Sequence, residues 1–179
     1  MRRDDLGRAA LLLLDDLYRF ARYLERTPAD AEDLAQECLA RALDRAHELN
    51  QPAALRVWLF RMMHRLHVDR RRSERSRGRL AVLRGGLEDL ALFSVGDLDE
   101  DLIAREDARV VERALLRLPE HQRAALVLVD VWECTYEETA DIVGVPIGTI
   151  RSRVARARAR LEQELAAANE DPHTKDGSA

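Results

Sequence analysis

Apolar residues recur along the chain at three- and four-residue intervals, and breaks between these runs divide it into helices. Leu12, Tyr18, Ala21 and Tyr23–Leu24 predict a first helix ending near Arg26. Thr27-Pro28 reads as a cap with proline at the first helical position, and Asp30, Glu32 and Asp33 suit a positive helix start. The second helix turns Leu34, Cys38, Ala42 and Leu43 inward and stops before Asn50-Gln51-Pro52. A third runs from about Ala53 to Arg75, with Leu55, Leu59, Met62, Leu66 and Asp69 at mixed helical spacing. From Ser76 to Leu102 the pattern fails, and Gly85-Gly86 and GDLDED read as a linker. Periodicity resumes from Ile103 to Leu118, and again from Pro119 to about Trp132. No strand pattern and no repeat is visible, which predicts an all-α chain of two small helical domains joined by a flexible acidic linker. The expected division is a first domain over 5–76, a linker over 77–103, a second domain over 104–166 and a disordered tail over 167–179.

The stretch ETADIVGVPIGTIRSRVARARARL, ending at Leu161, is the most informative. Thr135-Tyr136-Glu137-Glu138 has the form of a capping box. Gly144 supplies a left-handed C-terminal cap, and Pro146 is tolerated in the first turn of the helix that follows. A short helix, a tight turn and a longer helix make a helix-turn-helix, with Ala140 small where the helices cross. Ile150, Val154, Ala157 and Leu161 form a buried stripe on the second helix. Arg153, Arg156 and Arg160 line one flank, and Arg151 with Arg158 the other. Gly148, Thr149 and Ser152 leave the front of that helix small enough to approach a groove. This is how a recognition helix meets DNA, base edges at its start and phosphates at its flanks.

Charge sharpens the picture. The net charge of −4 argues against a uniformly basic coat, yet it hides segregation. Residues 61–79 hold eight arginines against two acids, residues 151–160 five against none, and residues 88–107 eight acids against one arginine. Local stripes, more than the total, decide polyanion binding. Arginine outnumbers lysine 28 to 1, as codon bias in a GC-rich genome would give; bias sets the residue type and leaves the placement to be explained.

DAEDLAQECLARAL (Asp30–Leu43), WLFRMMHRLHVDRRR (Trp58–Arg72) and LPEHQRAALVLVDVWECTYEETADIVGVPIGTIRSRVARARARL (Leu118–Leu161), in that order, resemble bacterial RNA polymerase sigma factors of the extracytoplasmic-function group. The resemblance runs from about Leu17 to Leu165. It implies that Asp30, Asp33, Gln36, Glu37 and Arg41 dock on the clamp helices of the largest polymerase subunits. It implies a minus-10 promoter reader made of Asn50, Arg61, His64, Arg65, Asp69 and Arg72. It implies a minus-35 reader made of Pro146, Gly148, Thr149, Arg151, Ser152, Arg153 and Arg156. The sequence departs from the family at Arg65, where asparagine is usual, and at His67, where a small apolar residue is usual. The implied partners are core RNA polymerase, promoter DNA and an anti-sigma factor.

Two readings stand for Trp58 (core or base-stacking), for Asp69 (DNA reader or helix–helix bonding) and for Arg70-Arg71-Arg72 (phosphate contact or solvated helix end). The linker is either threaded through the polymerase or a plain tether. Cys38 and Cys134 fit no ligand spacing and read as reduced, packed thiols. The five histidines form no metal-ligand set, and no nucleotide or nucleophile motif is present, so neither catalysis nor a cofactor is expected. Leu11–Leu14 is too short for a signal segment, which leaves a cytoplasmic protein without membrane insertion. The rival classes are a stand-alone helix-turn-helix regulator and a sigma mimic that sequesters an anti-sigma factor.

Overall fold

The structure, a computed structural model, describes residues 1–78 and 102–170. The helices are α1 (Arg3–Leu11), α2 (Leu14–Leu24), α3 (Pro28–Asp44), α4 (Leu55–Gly78), α5 (Leu102–Arg117), α6 (Glu120–Asp130), α7 (Tyr136–Val143) and α8 (Ile147–Glu170). Single 3₁₀ turns at Ala46–Glu48 and Pro52–Ala54 join α3 to α4, and there is no strand among the described residues. Most of the expected linker and most of the expected tail lie outside the described residues. Two compact units result, one of α1–α4 with α7, the other of α5, α6 and α8.

In the first unit α3 packs against both α2 and α4, and α1 lies on α3. Its start is written in the sequence: Thr27 Oγ1 accepts from the Asp30 N–H at 3.1 Å and donates to the Asp30 carboxylate at 2.7 Å, with Pro28 first in the helix. The core gathers Leu17, Phe20, Leu34, Cys38, Leu59, Phe60 and Met63. The Phe20 and Phe60 rings meet at 4.9 Å with a 44° tilt. Burial of each contributes about 2–3 kcal/mol. His67 is sealed in, with Nδ1 at 2.9 Å from Glu25 Oε1, and so stitches α4 to the residue that ends α2.

Several expectations need correction. The first predicted helix is two. The chain turns at Leu12–Leu13, α2 opens with Asp15 and Asp16 in its first turn, and Leu12 faces solvent instead of the core. On α4 the inward methionine is Met63, not Met62, and exposed Asp69 makes no helix–helix hydrogen bond among the described residues. Leu43 and Leu161, placed inward by periodicity, are only half-buried.

In the second unit α8 packs along α6 and α5. Ile150, Val154 and Ala157 are its buried stripe. Arg123 is buried and donates to the carbonyls of Leu116 and Leu118 at 2.9 and 3.2 Å, satisfying the C-terminal end of α5 where those oxygens lack helical partners. The approach to α7 is a tight turn: Cys134 N–H donates to Leu128 O at 2.9 Å, and Glu133 adopts φ 52°. At the far end of α7, Gly144 has φ 72° and donates to Ala140 O at 2.8 Å, the left-handed cap expected there.

These two left-handed positions give opposite expectations from one cause. Glu133→Gly relieves backbone strain and should raise stability by about 1 kcal/mol, whereas Gly144→Ala introduces it and should lower stability by about 1 kcal/mol. A Cβ at Gly144 meets nothing within 4 Å, so no clash contributes. Denaturant titration of both variants measures the signs.

Candidate nucleic-acid interface

Three sets of residues bear on function, and each follows from how its helix is set. On α3 the buried positions Ala31, Leu34, Ala35, Cys38 and Ala42 leave Asp30, Asp33 and Gln36 outward, all exposed. Glu37 and Arg41 share that side but are engaged internally. Arg70 on α4 donates to Glu37 Oε2 from Nε at 3.0 Å and from Nη2 at 2.5 Å, and Nη2 also reaches Asp33 O at 3.2 Å. Arg41 Nη2 donates to Glu37 Oε1 at 2.6 Å. The Arg70 guanidinium, against a modest burial penalty, holds the Glu37 carboxyl below its usual range. Of the arginine triplet, then, Arg70 is a strut between helices, Arg71 sits 3.7 Å from Glu74, and exposed Arg72 has no ion-pair partner among the described residues.

The second set surrounds a cleft of about 220 Å³ on the first unit. Trp58, Met62 and Leu66 give it an apolar wall; Arg41, Arg45, Arg61 and Arg65 supply positive charge; Glu48 and Asp69 add carboxylates. It is smaller than the roughly 300–1,000 Å³ of drug-sized sites. Of the residues expected at the minus-10 element, the cleft brings together Arg61, Arg65 and Asp69; Asn50, His64 and Arg72 are not among its lining. Arg61 donates to both carboxylate oxygens of Asp141 on α7, at 2.9 and 2.7 Å. Arg65 is exposed without an ion-pair partner among the described residues. Trp58 is 8% exposed: it packs in the core and also lines the cleft. Arg45 and Glu48 were missed, since an arginine and an acid just past a helix end carry no signal until the 3₁₀ turn brings them over α4.

The third set is on α8. The five arginines between 151 and 160 divide into two groups. Arg158 donates to both oxygens of Asp130 at 3.0 and 2.6 Å, which raises its pKa further, and Arg160 approaches Glu164 at 4.0 Å. Arg151, Arg153 and Arg156 have no acidic partner among the described residues. Ahead of them, Pro146 directly precedes the helix, Gly148 is exposed and Thr149 half-exposed. Ser152 Oγ donates to Thr149 O at 2.9 Å, which leaves its lone pairs outward as acceptors. A Cβ at Gly148 would meet nothing within 4 Å, so the fold makes no demand for glycine there. An unpaired cationic flank behind a small, open helix start suits a phosphate backbone and a groove.

Because Glu37 has a depressed folded-state pKa, its ion pairs stabilise the fold above its ordinary value near 4.5 and are lost as pH falls through the lower folded value. Unfolding free energy should therefore decline with acidification below about pH 4.5. Glu37→Gln should flatten that decline, as followed by denaturant titration across pH.

Residues 11–77 match Sigma-70 region 2, and residues 108–161 match Sigma-70, region 4. The chain is 39% identical over 149 residues to the ECF RNA polymerase sigma factor SigM of Mycobacterium tuberculosis, covering 83% of this chain and 71% of that one. It is 28% identical over 156 residues to SigW of Bacillus subtilis, covering 84% and 83% respectively. Among solved structures, the sigma factor RpoE of Bartonella quintana, in complex with the anti-sigma factor NepR, superposes with a TM-score of 0.72 at 30% identity, over 90% of this chain and 97% of that one.

Proposed function

The chain belongs to the sigma-70 family, in its extracytoplasmic-function group, and we propose that it brings core RNA polymerase to promoters through three separate surfaces. Proteins of this family are regulatory specificity subunits, so the chemistry of RNA synthesis stays with the polymerase. The division into 5–76, 77–103 and 104–166 assigns docking and the minus-10 element to the first part, a connection to the second, and the minus-35 element to the third.

The observation that carries the reading is the partition of arginines on α8. Arg151, Arg153 and Arg156 are left without acids while Arg158 is tied to Asp130. In this reading the three contact phosphates of the minus-35 duplex. Thr149 and Ser152 meet base edges across the open Gly148 and Pro146, with Ser152 accepting from an exocyclic amine. At the minus-10 element, Arg65 and Arg72 meet the backbone, with Asn50 and His64 flanking. A base leaving the stack lies on the Trp58–Met62–Leu66 wall within reach of Arg61, Glu48 and Asp69. Asp30, Asp33 and Gln36 face the clamp helices, and Glu37 and Arg41 hold that face in shape.

No helix among the described residues is long and apolar enough to cross a membrane, and the chain works in this reading where the polymerase is, in the cytoplasm. An anti-sigma factor is its regulator in this reading, supported by the likeness to RpoE held by NepR.

Salt dependence separates contact arginines from structural ones, since each phosphate contact releases counterions. Arg156→Ala should weaken binding of the polymerase holoenzyme to promoter DNA and reduce the slope of log affinity against log salt by about 0.9. Arg158→Ala should leave that slope unchanged. Equal slopes in both variants would count against the assignment of α8. For docking, Asp33→Lys should reduce co-purification with core polymerase by about tenfold or more while leaving the helical circular dichroism intact; undiminished co-purification removes α3 as the docking helix.

A further inference from the structure

Arg61 on α4 and Asp141 on α7 have no opposite charge within one turn of their own helices. At three and four positions away Arg61 has Val57, Trp58, His64 and Arg65, and Asp141 has Glu137, Glu138, Gly144 and Val145. They pair with each other across 80 positions of sequence: Arg61 Nη1 donates to Asp141 Oδ1 at 2.9 Å and to Oδ2 at 2.7 Å. Among the described residues Asp141 is the one acid paired with Arg61. Helix α7 belongs to the same compact unit as α1–α4, although in sequence it is the first half of the helix-turn-helix. It carries Glu137, Glu138 and Asp141 and no cation. Asp141 thus lays a carboxylate on a guanidinium of the cleft that Arg41, Arg45 and Arg65 also line. A carboxylate there takes the place that an anionic oxygen of DNA would take.

Chain length sets this contact against promoter engagement as read above. From Asp141 to Thr149 there are eight residue steps, which span at most about 29 Å when fully extended. The names minus-10 and minus-35 place the two elements about 25 base pairs apart, or roughly 85 Å of straight duplex. A bend of about 90° midway would still leave roughly 60 Å between them. With the ion pair closed, Arg61 cannot sit at one element while Thr149 sits at the other, side-chain reach included. The pair therefore belongs to a form of the chain that is off the promoter.

We propose that Arg61 and Asp141 form an autoinhibitory latch, closed in the chain free of polymerase and open in the holoenzyme. Its closure withholds Arg61 from DNA and keeps the two promoter readers from being seated together. The proposal rests on the promoter reading above. Both side chains are partly solvated, Arg61 31% and Asp141 53% exposed, so the latch is weak enough for polymerase and DNA to open.

The test uses the full chain with dyes on Ala53→Cys and Glu137→Cys, both exposed positions, and reads their separation by energy transfer. Cys38 and Cys134 are buried and stay unlabelled. Without polymerase the separation should be short and narrowly distributed. Asp141→Asn, and more so Asp141→Lys, should lengthen and broaden it, and added core polymerase should lengthen it without any substitution. Asp141 is exposed, so thermal melts of the variants should overlay the parent. Binding of a fluorescent random-sequence single strand of about 12 nucleotides is measured on the unlabelled chain without polymerase. Asp141→Asn should tighten it by about threefold, because the competent fraction rises. Added to Arg61→Ala, the same change should gain nothing. A separation unchanged by both Asp141 substitutions, or one that stays short in the holoenzyme, overturns the latch. So does a gain in strand binding that persists without Arg61. If Arg65→Ala weakens strand binding but Asp141→Asn leaves it unchanged, the cleft still takes DNA and the latch alone falls. If the separation opens while the strand binds parent, Asp141→Asn and Arg65→Ala alike, the minus-10 assignment has failed and the latch has nothing to withhold.

Discussion

The guanidinium of Arg70 reaches out of α4 and closes on Glu37 and the Asp33 carbonyl of α3. Both the exposed face of α3 and the cleft along α4 depend on that crossing. α3 presents its exposed carboxylates and from the same side lends Arg41 to the cleft, while α4 supplies most of the cleft wall. A shift of one helix along the other would disturb that face and the cleft together. Glu37 is held by two arginines at once, Arg70 and Arg41, so its carboxylate is neutralised by geometry and is not left to mobile counterions. The outward carboxylates at the start of the helix, Asp30, Glu32 and Asp33, have no ion-pair partner among the described residues.

Charge in this chain is sorted by partner more than by residue type. Arginines on α8 that look interchangeable in sequence differ in what opposes them: Asp130 takes Arg158, and nothing acidic among the described residues takes Arg151, Arg153 or Arg156. On α6 a buried arginine, Arg123, closes the end of α5 through backbone carbonyls. A net charge of −4 is therefore compatible with a cationic stretch on α8, because nearby acids are taken up by particular arginines and the others are left unpaired.

How much of this was legible in the sequence follows the range of the interactions. Helices α3, α7 and α8 were readable because their signals are local: Thr27-Pro28 at one start, Gly144 at one stop, Pro146 just before another start. The order of three motifs pointed to the family, which the Sigma-70 matches over residues 11–77 and 108–161 establish. What periodicity could not see was the elbow at Leu12–Leu13, which contains neither glycine nor proline and resets the helical register without announcing it. Met62 and Met63 are adjacent on a long helix, and only the placement of α2 and α3 decides which one is covered. Pairings such as Arg158 with Asp130 or Arg70 with Glu37 join residues 28 and 33 positions apart, so no window of sequence contains them. His67 stood out as a departure from the family, but its partner Glu25, 42 positions away, did not.

Cys38 lies in the core of the first unit, its sulfur 3.6 Å from Leu59 O, and burial pushes its thiol up to about 12. At neutral pH the nucleophilic thiolate is then only on the order of one molecule in 10⁵. Peroxide or an electrophile would pass this residue by for as long as the bundle stays folded, so an oxidative cue cannot be registered there.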